Sequence, residues 1–275
     1  MAARGPVMGK PRIQALARAD AILSIVLASK TGTARLHELS EGLGLNRTTV
    51  FNLAESLVVL GFLAKDEAGY RLGLRNIELG RSAARRGDLL AKCRPALVRI
   101  CHTTGETVNL AVPYLSNAII LESYESRHGV RATSYAGTRA AYHSTACGKA
   151  LLAKFGPEVR RQIYENAGLP AATAHTITDP ERLEASLGDI ARRGYAIEVE
   201  ENELGAFCIA RAISNSFGEA LASISVASVT QRMNDETVGR FAAVLEQEVA
   251  KLEAQLIGQA ADSVTRQARS AGARA

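Results

Sequence analysis

Apolar positions recur at helical spacing through the first third of the chain and change to alternating or continuous apolar runs from Thr107 onward. Residues 12–29 place Ile13, Leu16, Leu23, Val26 and Leu27 on one face, which predicts a helix with these side chains inward. TGTA at 31–34 reads as a turn. RLHELSEGLGL then puts Leu36, Leu39 and Leu43 on one face of a short helix that Gly42 and Gly44 end. Asn46 stands where an N-cap belongs, its side-chain oxygen placed to accept from the free amides of the next turn. In the helix it opens, Val50, Leu53, Leu57 and Leu60 form the predicted inward stripe, leaving Arg47, Thr48, Phe51, Asn52 and Glu55 on the other side. FLAKDEAGYRLG follows as a strand, a turn from Asp66 to Gly69, and a return strand, with Lys65 and Arg71 on the two arms.

Residues 74–106 are helical in pattern, with interruptions expected near Gly87 and before Pro95. Arg81, Arg85 and Arg86 fall on its polar side, so this segment reads either as a linker that pairs with its copy in a dimer or as a solvated surface. Beyond it TVNLAVPYL, NAIILESYES and GVRATSYA predict three successive strands, and GYAIEVE, FCIARAIS and EALASISVAS predict three more. Helices flank them, among them DPERLEASLGDIARR, with Pro180 early and Gly194 just past its end, and a last one over 234–258. Two hairpin-connected groups of strands flanked by helices predict an α+β domain on an antiparallel sheet.

Charge divides the chain in the same way. Of its 275 residues, 1–88 carry a net charge of +5, 89–258 carry −2 and 259–275 carry +2, so the first third is the part suited to a polyanion. No apolar run approaches the roughly 18 residues of a membrane span, and MAARGPVMGKPR lacks the apolar core of a secretion signal. A cytoplasmic protein without membrane contact is expected. Cys93, Cys101, Cys147 and Cys208 form no CxxC pair, and His37, His102, His128, His143 and His175 form no HExxH cluster, so neither a metal nor a cofactor is expected and the thiols should be reduced.

Two helices joined by a short turn are what a helix-turn-helix needs, since the first holds the N-terminal turn of the second outward for the major groove. The hairpin beside them resembles a wing. The same pattern also suits a plain helix pair in a core, and the basic first third favours the nucleic-acid reading. In the second domain YHSTACGKALLAKF sets small and polar residues before a helix opening near Thr145, so backbone N–H groups there are placed to meet an anion, a carboxylate best of all. Two other readings remain: an enzyme or thiol sensor with Cys147 as nucleophile and His143 as base, and a domain that only oligomerises.

The motifs LGLNRTTVFNLAESLVVLGF, YRLGLRNIELG, TGETVNLAV, HSTACGKALLA, TITDPERLEASLGDIARRGYAIEVEENELGAFCIA and SISVAS, in this order, resemble the IclR-type bacterial transcriptional regulators over about residues 12–258. The resemblance implies a winged helix-turn-helix at 12–74, a linker helix at 75–94 and a GAF-like effector-binding domain at 95–258, between flexible tails at 1–11 and 259–275. It implies dimers, often paired into dimers of dimers, that bind double-stranded operator DNA and a small organic acid effector. Carried onto this chain, the DNA-reading turn is Arg47, Thr48, Thr49, Phe51 and Asn52, with Lys65 and Arg71 on the wing. Members often have a basic residue at Asn52 and a small one at Glu55; Asn52 can still read adenine, whereas Glu55 repels phosphate unless it accepts from cytosine or a nearby arginine. The implied effector pocket maps to Ala146, Cys147, Gly148, Glu198, Cys208, Ser223 and Ser225. Glu198 in place of an Asp, and Ala227 in place of a serine, favour an aromatic or longer acid over one of two or three carbons.

Overall fold

The computed structural model describes residues 12–85 and 88–272, in two compact units that meet in sequence at Asp88 and Leu89. The first unit runs α1 (Gln14–Ala28), β1 (Thr33–Ala34), α2 (Leu36–Leu43), α3 (Arg47–Val59), β2 (Leu63–Asp66), β3 (Gly69–Leu72) and α4 (Arg75–Arg85). Its three strands form an antiparallel sheet in the order β1-β3-β2. The TGTA stretch read as a turn therefore contributes a strand: Thr33 and Ala34 pair with Arg71 and Tyr70, too short a run to show alternation.

The core of this unit gathers Ile22, Val26, Leu39, Val50, Ala54, Leu57, Leu63 and Tyr70. Three of the residues expected inward on α1 are not: Ile13, Leu16 and Leu27 are each more than half exposed. Periodicity marks a helix face but not how far along the helix its partners reach, and the buried stretch is centred on Ile22 and Val26. On α3 the stripe runs Val50, Ala54, Leu57, while Leu60, at the C-cap position, is 61% exposed because it lies past the last helical turn. Gly44 ends α2 in the left-handed conformation (φ 62°), which a side chain would strain. Arg81, Arg85 and Arg86 lie outside the described side chains.

The second unit comprises α5 (Asp88–Thr104), β4 (Thr107–Tyr114), β5 (Asn117–Tyr124), β6 (Arg139–Ala141), α6 (Ala146–Leu152), α7 (Pro157–Ala167), α8 (Pro180–Arg193), β7 (Ala196–Val199), β8 (Ala206–Ser214), β9 (Ala220–Val229) and α9 (Asp235–Gly272). Pro95 sits inside α5 without ending it, contrary to the expected interruption. Cys93, Ala96, Leu97 and Ile100 around it are fully buried, and that packing outweighs the lost backbone hydrogen bond. α9 is helical through 259–272, part of the segment read as a tail; no proline interrupts it, and alanine, glutamine and arginine make up more than half of it. Residues 1–11 and 273–275, also read as tails, lie outside the described residues. Among the described residues no helix is long and apolar enough to cross a membrane.

The sheet is six-stranded and antiparallel, in the order β6-β5-β4-β9-β8-β7. Its sixth strand is not GVRATSYA: residues 125–138 form no strand, and β6 follows them. Register explains the two faces. Val108, Val226, Ile209 and Ile197 lie side by side and pack with α5 and α9. On the other face one row reads Asn109, Ser225, Ala210, Ala196 and the next Thr107, Ala227, Cys208, Glu198. These small and polar side chains leave room that α6 only partly fills.

Candidate functional site

At the start of α3, Asn46 accepts from the Thr49 amide at 2.8 Å, the N-cap bond expected of it, and so fixes the first turn. Arg47, Thr48, Phe51 and Asn52 are exposed on this turn and the next, Thr49 half-buried beside them. Arg47 makes no ion pair among the described residues. The wing cations differ. The β2–β3 register sets Lys65 opposite Tyr70, both facing α3. Glu55 receives the Lys65 ammonium at 2.7 Å and the Tyr70 hydroxyl at 2.9 Å, and these hydrogen bonds, Lys65 first, hold its carboxyl below the usual range. Lys65 also lies 5.3 Å from the Phe51 ring centroid. Arg71 is paired with Asp66 at 3.1 Å. Glu55 thus has an intramolecular role, and its donor is the lysine and tyrosine of the hairpin, not an arginine. Sequence reasoning missed Tyr70, although its alternation with Arg71 on a short strand points it inward.

In the second unit a cavity of about 280 Å³ lies between the small-residue face of the sheet, the start of α6 and the segment before β6. Ala146, Cys147, Glu198, Cys208 and Ser225 line it; Gly148 and Ser223 do not. Ser223 is spent inside the protein, donating to the Cys147 carbonyl at 3.1 Å. Gly148 is where α6 meets the chain before it: a Cβ there would stand 2.3 Å from the Ala141 carbonyl oxygen. Asn109, Ser134, Tyr135, Arg139 and Asn202 also line the cavity. Asn109 had a signal, a polar residue inside the apolar TVNLAV strand. Arg139 had none, because the strand expected at GVRATSYA hid the turn that delivers it.

Glu198 is 1% exposed, and its Oε1 accepts from the backbone amides of Glu201 at 2.7 Å and Asn202 at 3.1 Å. Burial pushes its pKa up in spite of these donors and the Cys208 thiol hydrogen-bonded to it. The inward cation Lys149 is committed to Glu201. Arg139 makes no ion pair among the described residues and stands over the Tyr114 ring, 5.9 Å from its centroid.

The cysteine–histidine pair is not assembled. His143 lies by its Nε2 3.0 Å from the Pro170 carbonyl and lines a different cavity, with Tyr142 and Tyr164. The Cys147 thiol donates to Thr145 Oγ1 at 3.5 Å, and burial pushes its pKa up, opposite to what a nucleophile at a helix start requires. Thr145 caps α6, accepting from the Gly148 amide at 3.1 Å, so the turn's own side chain meets one of the free donors expected there. No group of three His, Cys, Asp or Glu able to hold a metal occurs among the described residues.

Two family models match the chain. The IclR helix-turn-helix domain covers residues 15–67, and the bacterial transcriptional regulator IclR C-terminal domain covers residues 81–254. The chain is 35% identical over 237 residues to the HTH-type transcriptional regulator BhcR of Paracoccus denitrificans (strain Pd 1222), covering 85% of this chain and 84% of that protein. It is 31% identical over 247 residues to the transcriptional repressor IclR of Escherichia coli (strain K12), covering 88% and 89%. Among solved structures, an IclR homolog from Microbacterium hydrocarbonoxydans complexed with 4-hydroxybenzoate superposes with a TM-score of 0.71 at 27% identity, covering 88% of this chain and 98% of that one.

Proposed function

From the premise that the chain belongs to the IclR family of bacterial transcriptional regulators, we propose that it senses a small organic acid in its second unit and alters operator binding by its first. The carrying observation is the cavity: a partly enclosed space with a mixed lining in the second unit, to which Glu198, Ser225 and the Arg139 guanidinium contribute the polar groups. An apolar cavity of about 150 Å³ already admits benzene, so 280 Å³ has room for a monocyclic acid. The relative complexed with 4-hydroxybenzoate supports the same size class.

On this reading Ala146, Cys147, Glu198, Cys208 and Ser225 meet the effector directly, with Gly148 and Ser223 shaping the wall behind them. Arg47, Thr48, Thr49, Phe51 and Asn52 enter the major groove of double-stranded DNA, in the cytoplasm. A homodimer, or a dimer of dimers, sets two recognition helices about one DNA turn or a multiple apart. The effector acts by binding the DNA-competent and DNA-incompetent arrangements with different affinity, since nothing else can shift their balance. The repressor sense of the Escherichia coli relative is extended to this chain.

A thermal-shift screen of the full chain against aliphatic and aromatic carboxylic acids tests this. An effector at a hundred times its Kd stabilises the protein by about 2.7 kcal/mol. The same acid should change the apparent affinity for operator DNA in fluorescence anisotropy. Failure of every acid to do either would leave the second unit as an oligomerisation module.

A further inference from the structure

We propose that the effector is a carboxylic acid that carries a hydrogen-bond donor away from its carboxylate, the carboxylate meeting Arg139 and the donor meeting Glu198. This rests on the ligand-cavity reading above and narrows it to a chemical class.

The two groups come from opposite edges of the sheet: Arg139 from β6 and Glu198 from β7, the outer strands of the order β6-β5-β4-β9-β8-β7, yet both line the same cavity. One ligand can therefore present different ends to them. A carboxylate offers roughly four acceptor positions. The amides of Glu201 and Asn202 and the thiol of Cys208 supply three donors to Glu198, which leaves one acceptor position on a carboxylate that lines the cavity. Glu203 also lines the cavity, so the β7 side carries two carboxylates and would repel the carboxylate end of a ligand. Arg139 has no ion pair among the described residues to compete for that end. Two neighbouring polar groups are already committed: Asn109 accepts from Ser123 at 2.7 Å and donates to Ser134 at 3.2 Å, and Lys149 is held by Glu201. A plain acid would satisfy Arg139 and displace water from Glu198 without replacing its hydrogen bond. A hydroxyl or ammonium on the far end replaces it.

Matched pairs test the claim by titration calorimetry on the full chain: 4-hydroxybenzoate against benzoate, and 3-hydroxypropionate against propionate. A hydrogen bond to a charged group corresponds to roughly ten- to a hundred-fold in affinity, so the donor-bearing member of at least one pair should bind tighter by that factor. Glu198→Gln keeps an oxygen for the Glu201 and Asn202 amides and should bring the ratio within a pair towards one. Arg139→Gln, at an exposed position, should weaken both members alike and leave the ratio unchanged. Should Glu198→Gln fail to fold, the wild-type ratio and Arg139→Gln still decide. Equal or tighter binding of the plain acids by the wild type, or a ratio lost in Arg139→Gln, overturns this assignment while the acid-sensing reading stands. Binding of neither member of any pair, together with no stabilisation by any other acid, overturns both.

Discussion

The ammonium of Lys65 and the carboxylate of Glu55 lie 2.7 Å apart, tying the hairpin to the flank of α3. The Tyr70 hydroxyl reaches the same carboxylate oxygen, so an acid on a surface suited to DNA is already satisfied before any DNA arrives. Glu55→Gln should loosen the hairpin: hydrogen exchange at residues 63–72 rises while exchange in α1 stays as it was. Because Lys65 and then Tyr70 hold the Glu55 pKa below its ordinary value, the tether's contribution is present above that value and lost as pH falls through the lowered one. Protection of the hairpin amides relative to their intrinsic exchange rate should fall over that acidic window in the wild type and not in Glu55→Gln. Equal exchange in the two proteins at neutral pH would show the tether to be inert.

The same relationship separates the basic residues of the first unit. Arg47 is exposed and outside any described ion pair, whereas the charge of Lys65 is already balanced by Glu55. Arg47→Ala should weaken operator binding and reduce the slope of log K against log salt by about 0.9, the value of one phosphate contact on duplex DNA. Lys65→Ala should leave that slope nearly unchanged. A full unit lost with Lys65 would mean that it leaves Glu55 for a phosphate on binding.

Gly148 tests how closely α6 must approach the chain before it. A Cβ there would meet the Ala141 carbonyl oxygen at 2.3 Å and Tyr142 Cα at 2.7 Å, both backbone atoms that cannot swing aside. Gly148→Ala should cost about 1–3 kcal/mol, as overpacking of a core does. At roughly 2–4 °C per kcal/mol for a domain of this size, the Tm falls measurably. An unchanged melting curve would mean that α6 slides freely over the β5–β6 corner.

Burial raises the pKa of every cysteine in the chain, that of Cys93 to about 11 and that of Cys208 well above the ordinary thiol value. The native protein should react slowly with a thiol reagent at neutral pH and yield all its thiols once denatured. Rapid modification of Cys147 in the native state would restore the thiol-sensor reading that the raised pKa opposes.

Ser225 occupies the floor of the cavity, 3% exposed and between Asn109 and Ala210 in the sheet register. Ser225→Leu should abolish stabilisation by organic acids while leaving operator binding in their absence intact. Loss of both together would indicate a disrupted fold.

Much of the fold was legible in the chain because it is settled within a few residues. Asn46 caps α3 and Asp179 caps α8 through amides three positions on, and Gly44 and Gly194 end α2 and α8 in left-handed conformations that short-range pattern anticipates. Of the residues that the resemblance assigns to a pocket, Ala146, Cys147, Glu198, Cys208 and Ser225 line one cavity, and Gly148 and Ser223 do not. Other features depended on partners far along the chain. Glu55 looked anomalous until the hairpin register brought Lys65 and Tyr70 to it. Ser223 and Ser225, two apart on one face, differ because the Cys147 carbonyl takes the hydroxyl of the first, while the second lines the cavity. Arg139 and Glu198 meet one cavity only because the sheet places its two edges around it. Local backbone chemistry is written in neighbouring residues, and sequence alone determined it; which polar group finds which partner depends on the register and packing of distant strands, and only the tertiary structure decided that.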